Sequence, residues 1–156
     1  MAFPQLTEED IQFFDRVLAD LIKKSEALLA MIVEKAGYLI HQYGNAEALD
    51  TTTLATLGSN AYNATQFMAQ LVNEHNFTSM YQQGDAYSTL ILNIDQDCIL
   101  VVIFGMQQTV GSMKYYAVPV VKQIGEQLKV AAARGETALD LSDMDATDVK
   151  ALFRRT

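Results

Sequence analysis

One cysteine, Cys98, two histidines, two prolines and no tryptophan are what this 156-residue chain has least of. A single cysteine excludes an internal disulfide, and a reducing cytoplasm is the compartment expected for such a chain. His41 and His75 lie far apart, and with one cysteine they do not make the ligand set of a zinc site. A polar edge or surface position is the plainer reading of each. Cys98 has no local basic partner and opens an apolar run, which suits a buried thiol and not a nucleophile. Neither G-x-G-x-x-G nor G-x-x-x-x-G-K-[ST] occurs, so nucleotide phosphates have no glycine loop to occupy. No stretch approaches the roughly 18 uncharged apolar residues that span a bilayer. The opening Met1 to Asp10 lacks the basic and apolar regions of a signal peptide. Lys and Arg number 11 against 19 Asp and Glu, a formal charge of −8, and they are scattered. Phosphate backbones and anionic membranes are repelled, so neither nucleic acid nor direct membrane insertion is expected.

Acidic pairs offer no metal site either. Asp143-x-Asp145 begins like a calcium loop, but the sixth position is Asp148 where Gly is needed and the twelfth is Arg154 where Glu is needed. Asp95 and Asp97 sit in a turn, where Asp bonds the local backbone. Seven methionines are dispersed and read as core filler. No catalytic constellation emerges, so the chain reads as a non-enzyme with no cofactor.

What is present is a single α+β domain. Half of the residues are apolar and 19% are charged, an ordinary globular balance. Thr7 opens a helix: Asp10 stands three residues on, Glu8 and Glu9 suit the positive helix end, and Ile11, Phe14, Leu18 and Leu21 mark one face. Ala27 to Val33 is a buried strand, and Lys35-Ala36-Gly37 turns it into a partner strand, Tyr38 to Tyr43. A loop from Gly44 to Leu49 leads to the longest helix, about Asp50 to Asn73. Three strands follow, Thr78 to Gln82, Tyr87 to Ile94 and Cys98 to Phe104, the last two joined by Asp95-Gln96-Asp97. A final helix spans about Thr109 to Ala133, kinked at Pro119, and Gly135 ends it. The order is α-β-β-α-β-β-β-α plus a short C-terminal tail, which implies a five-stranded antiparallel sheet with helices on its faces. Residues 1–134 form the domain and residues 135–156 an acidic tail, able to make a short amphipathic helix with Val149, Leu152 and Phe153 on one side as a docking face.

The middle helix divides into three faces at 100° per residue. Leu54, Leu57, Ala61, Ala64, Met68 and Leu71 form the strongest stripe and are assigned to the sheet. Ala55, Ser59, Tyr62, Gln66 and Ala69 form a second stripe of mostly small residues, assigned to a dimer interface through close helix approach; the competing reading is an alanine-rich solvent face. Thr56, Asn60, Asn63, Phe67 and Gln70 form the third, with Phe67 a candidate interface anchor among polar neighbours.

Several segments carry a resemblance. Asp50-Thr51-Thr52-Thr53-Leu54-Ala55-Thr56-Leu57 opens the middle helix, Leu100 to Phe104 forms the last strand, Gly111 falls early in the final helix, and Asp148 to Phe153 lies near the end. In this order and spacing they resemble the roadblock/LC7 family, and within it the MglB type of bacterial gliding-motility regulator. The resemblance covers nearly the whole chain and implies a profilin-like fold. It also implies a homodimer with middle helices side by side and sheets joined edge to edge. A small Ras-like GTPase of the MglA type would dock on the paired helices through the third face. Such regulators stimulate GTP hydrolysis by favouring a conformation in which the GTPase's own Arg and Gln are placed for transfer. The alternative is a non-activating scaffold or adaptor.

Overall fold

The computed structural model describes residues 3–143. Its elements follow the expected order: α1 (Glu8–Ser25), β1 (Leu29–Glu34), β2 (Leu39–Gly44), α2 (Thr51–Leu71), β3 (Ser79–Gln83), β4 (Tyr87–Asn93), β5 (Cys98–Gly105) and α3 (Val110–Asp143). The five strands form one sheet in the order β2-β1-β5-β4-β3, with every neighbouring pair antiparallel.

Alternation along the strands splits the apolar residues between two layers. Ala30, Ile32, Leu90, Leu92, Leu100, Val102 and Phe104 face α1 and α3, where Phe14, Leu18, Leu21, Met113, Ala117 and Ile124 meet them. Leu29, Met31, Val33, Ile91, Ile99, Val101 and Ile103 face the other way, toward α2 alone. Because β1 and β5 are covered on both faces, they read as near-continuous apolar runs. The turn between β1 and β2 closes through Gly37, which is buried with φ +109, a conformation that strains any side-chain-bearing residue.

The start of α1 is built as expected. The Asp10 amide donates to Thr7 Oγ1 at 3.4 Å, and the Thr7 amide donates to Asp10 Oδ2 at 2.8 Å, a reciprocal capping box. Asp10 is fully buried and has further partners on α3: Gln127 Nε2 donates at 2.7 Å, and Arg134 donates from Nη1 at 2.9 Å and Nη2 at 3.2 Å. The Arg134 guanidinium, foremost, holds the Asp10 carboxyl well below the usual carboxylate range, with the bonds from Thr7 and Gln127 adding to it against the cost of burial.

The far end of α3 departs from expectation. Gly135 does not end the helix, which continues through it to Asp143. Gly135 is not among the positive-φ residues, so it does not provide the left-handed turn of a glycine cap. A glycine inside a helix costs about 1 kcal/mol relative to alanine, and the neighbouring Arg134–Asp10 clasp stabilises the segment. The boundary placed between residues 134 and 135 therefore falls inside α3. Pro119 is also within the helix, and it lies on the exposed side, so the carbonyl left without an amide donor faces water.

The clasp generates a prediction. Asp10→Ala removes the capping box together with the partner of Arg134, and should lower unfolding stability by about 2 kcal/mol. The folded-state pKa of Asp10 is depressed, so its contribution is present above the unfolded value near 4 and is lost as pH falls toward the folded value. Urea titrations between pH 7 and pH 2 should show the wild-type advantage over Asp10→Ala shrinking below about pH 4. An advantage independent of pH would contradict the assignment.

Candidate functional site

The middle helix is rotated relative to its sequence reading. Ala55, Ser59, Tyr62 and Ala69 are buried against the sheet, and Gln66 is half-buried beside them. These five, read as a dimer interface, instead lie on the protomer's own sheet-facing side. The stripe assigned to the sheet faces outward: Leu57 is 59% exposed, Met68 59% and Leu71 84%, while Leu54 and Ala61 are partly covered and Ala64 is open. The physical reason is depth. The sheet already presents Leu29, Met31, Val33, Ile99, Val101 and Ile103, and small helix residues let α2 approach that bulky layer closely. Gly58 belongs to the same contact, since a Cβ there would stand 3.7 Å from Val101 and 3.9 Å from Ile91.

Hydrogen bonds fix the rotation. Tyr62 donates its hydroxyl to the Phe77 carbonyl at 3.1 Å, and Gln66 reaches the same carbonyl at 3.4 Å. Asn63 Nδ2 donates to the Lys35 carbonyl at 2.9 Å and holds the β1–β2 turn, while the Thr56 hydroxyl lies 3.2 Å from both the Gly37 carbonyl of the turn and the Thr52 carbonyl of its own helix, so its one proton is shared between them. Lys35 Nζ lies 5.4 Å from the centre of the Tyr62 ring and donates to the Asp95 carbonyl at 2.7 Å. Burial pushes the Lys35 ammonium below its ordinary pKa, and Asp95, Cys98 and Asp97 partly offset that. Burial likewise pushes the Tyr62 hydroxyl up.

The third face is thus divided. Asn60, Phe67 and Gln70 are exposed, Phe67 by 70%, whereas Asn63 is half-buried and committed to the turn, with Thr56 bonded to it in part. Phe67 borders the outward Ala64–Met68–Leu71 stripe and is not the centre of a purely polar face. Among the other chemistry-bearing residues, His41 Nε2 pairs with Asp15 Oδ1 at 2.8 Å, His75 is exposed, and Cys98 is buried with its thiol pushed up, chiefly by that burial. Among the described residues no group of His, Cys, Asp and Glu is arranged to hold a metal ion. No helix among them is long and apolar enough to cross a membrane. Val149, Leu152 and Phe153 lie outside the described residues.

An antiparallel sheet with one helix on one face and two on the other admits comparison with known proteins. The sequence profile of the Roadblock/LC7 domain matches residues 13–104, more than half of the chain. The chain belongs to the Roadblock/LC7 family. Solved structures share its fold. MglB of Myxococcus xanthus superposes with a TM-score of 0.76 at 24% identity, over 81% of this chain and 96% of that one. The gliding protein MglB of Thermus thermophilus gives 0.77 at 20% identity, over 84% and 99%. Profilin IA of Acanthamoeba castellanii gives 0.53 at 13% identity, over 73% and 98%, which makes the roadblock fold profilin-like as expected. No curated protein is a significant match.

Within this roadblock domain α2 packs chiefly over β1, β2 and β5 and leaves its side of β3 and β4 less covered. Edge strand β3 has one neighbour, β4. Gly58, on the flank toward β4, shows which way the helix faces. The outward stripe of Leu57, Ala61, Ala64 and Met68 leans to that same side, while Thr56, Asn60, Asn63 and Phe67 lean toward the β1–β2 turn. One flank therefore joins an apolar stripe to an open sheet edge, and the other carries Phe67 with polar neighbours.

This orientation is testable by overpacking. Ala55→Leu and Ser59→Leu force a large side chain between α2 and the sheet and should each cost about 2 kcal/mol in chemical denaturation. Ala64→Leu should stay within about 0.5 kcal/mol of wild type. The opposite ranking would restore the helix rotation read from sequence.

Proposed function

We propose that this roadblock domain is a dimeric regulator of a small Ras-like GTPase of the MglA type, stimulating GTP hydrolysis by positioning the GTPase's own catalytic residues. The observation that carries the reading is the two-flanked exposed surface of α2. The apolar stripe beside the free β3 edge suits a second copy of the chain: two such helices lie side by side while the sheets extend across the edges. Covering Leu57, Met68 and Leu71 contributes about 2 kcal/mol for each side chain. The opposite flank, with Asn60, Phe67 and Gln70, remains available for a GTPase. Asn63 supports it from behind by holding the β1–β2 turn, to which Thr56 is bonded in part.

In such a complex the regulator need not supply a reacting group. Holding a flexible GTPase segment in its productive arrangement removes an ordering cost from the transition state, and groups of the GTPase then meet the charge on the transferring phosphoryl. A second reading, a scaffold that binds a GTPase without activating it, is favoured by the commitment of Asn63 to the turn, which narrows the polar flank.

Hydrolysis measured with an MglA-type GTPase of the same genome separates the two. Activation predicts at least a roughly tenfold faster turnover, a barrier reduction of about 1.4 kcal/mol. Tight binding with unchanged turnover selects the scaffold, and absence of binding contradicts both. Phe67→Arg should weaken binding by about 30-fold or more, since it replaces an apolar anchor with a charge in a dry contact. Its stability should remain within about 0.5 kcal/mol of wild type. A Phe67→Arg protein that unfolds would place Phe67 in the core instead.

A further inference from the structure

On the face of the sheet opposite α2, α3 packs along β4 and hardly reaches the edge strand β3. A cleft of about 320 Å³ is left between α3 and the start of β3. Thr78, Ser79, Leu92 and Asn93 line it from the sheet, and Lys114, Val118 and Val121 line it from the helix. Residues three and four apart share a helix face, so positions 114, 118 and 121 make one row along α3. Val118 is 56% exposed in that row, whereas Leu92 is buried.

Charge in the cleft has one sign. Among the described residues Lys114 is the one charged side chain that lines it. The ion pairs of those residues join Lys24 to Asp20, His41 to Asp15 and Arg134 to Asp10, and Lys114 is in none of them. No carboxylate stands three or four residues from Lys114 on α3, where the neighbours are Val110, Gly111, Ala117 and Val118. Farther along the helix Lys122 and Glu126 are one turn apart and offset each other. From the sheet, Thr78, Ser79 and Asn93 add uncharged hydrogen-bonding groups. The whole chain carries a formal charge of −8. An acidic partner is therefore repelled by most of the surface, and here it meets an unpaired ammonium beside apolar side chains.

We propose that this cleft docks an acidic segment of another protein: a Glu or Asp carboxylate meets Lys114 Nζ, and an aliphatic side chain two residues away packs on Leu92, Val118 and Val121. An extended segment suits the cleft, because its residues i and i+2 point to one side and are about 7 Å apart. A basic segment would set like charges together, and a neutral one would leave Lys114 without a counter-charge. The site lies across the sheet from α2 and does not rest on the GTPase reading.

A labelled peptide, Gly-Leu-Ser-Glu-Ser-Leu-Gly, titrated into the full-length protein tests this by fluorescence anisotropy and methyl NMR. When the peptide is extended, its Leu and Glu side chains share one side. It should bind with a Kd below about 1 mM and shift the methyl signals of Leu92, Val118 and Val121. The same peptide with Gln for Glu should bind about threefold more weakly or worse. Lys114 is exposed, so Lys114→Glu should stay folded by circular dichroism. That variant should prefer a peptide with Lys for Glu, reversing the order seen with the wild type. Met68→Arg, on the α2 surface, should bind the Glu peptide as the wild type does. No saturable binding, a peptide order unchanged by Lys114→Glu, or binding lost in Met68→Arg would each overturn the proposal.

Discussion

The contact between α2 and its face of the sheet is the constraint from which the rest of the structure follows. Leu29, Met31, Val33, Ile99, Val101 and Ile103 make that face bulky, and a single helix has to cover it. Ala55, Ser59 and Ala69, with Gly58 at the edge of the contact, bring α2 close, and Tyr62 reaches across to the Phe77 carbonyl. Once that rotation is set, the larger side chains of the helix point outward. Apolar surface lost by the core becomes apolar surface available to a partner.

The two faces of the sheet are covered differently, and the difference organises the surface. Opposite α2, two helices share the load, and α1 is fastened to α3 by the buried Asp10 carboxylate with Gln127 and Arg134. On the α2 side β3 and its neighbour β4 keep room beside the helix. In the proposed dimer, the copy that fills that space also extends the sheet at β3. The β1–β2 turn, pinned by Asn63, then becomes the outer support of the flank assigned to the GTPase.

Element order and the two hairpins, β1–β2 and β4–β5, were legible because each signal was local, whereas the pairing of β1 with β5 joins segments far apart in the chain and left no local mark. The capping box at Thr7 and Asp10, the apolar runs of β1 and β5, and the Asp95-Gln96-Asp97 turn each state their own structure. The rotation of α2 was not legible from hydrophobicity, because leucine and methionine outrank alanine and serine on any transfer scale, whereas the sheet selects for size. The bulk of Val101 and Ile103 opposite the helix was the available signal, and it becomes visible only when the two layers are placed together. The continuation of α3 was hidden for a similar reason: Gly135 reads locally as a stop, and the bond from Arg134 to Asp10 spans 124 residues. For the candidate site, Phe67 was found by pattern, but the internal duty of Asn63 needed the position of the Lys35 carbonyl.

The central claim is that the outward stripe of α2 is covered by a second copy of the chain. Light scattering of the full-length protein at tens of micromolar tests it most directly, alone and with Met68→Arg. The account predicts twice the chain mass of 17.3 kDa for the wild type, and a single-chain mass for a Met68→Arg protein that remains folded. A wild-type monomer, or a dimer untouched by Met68→Arg, would contradict it.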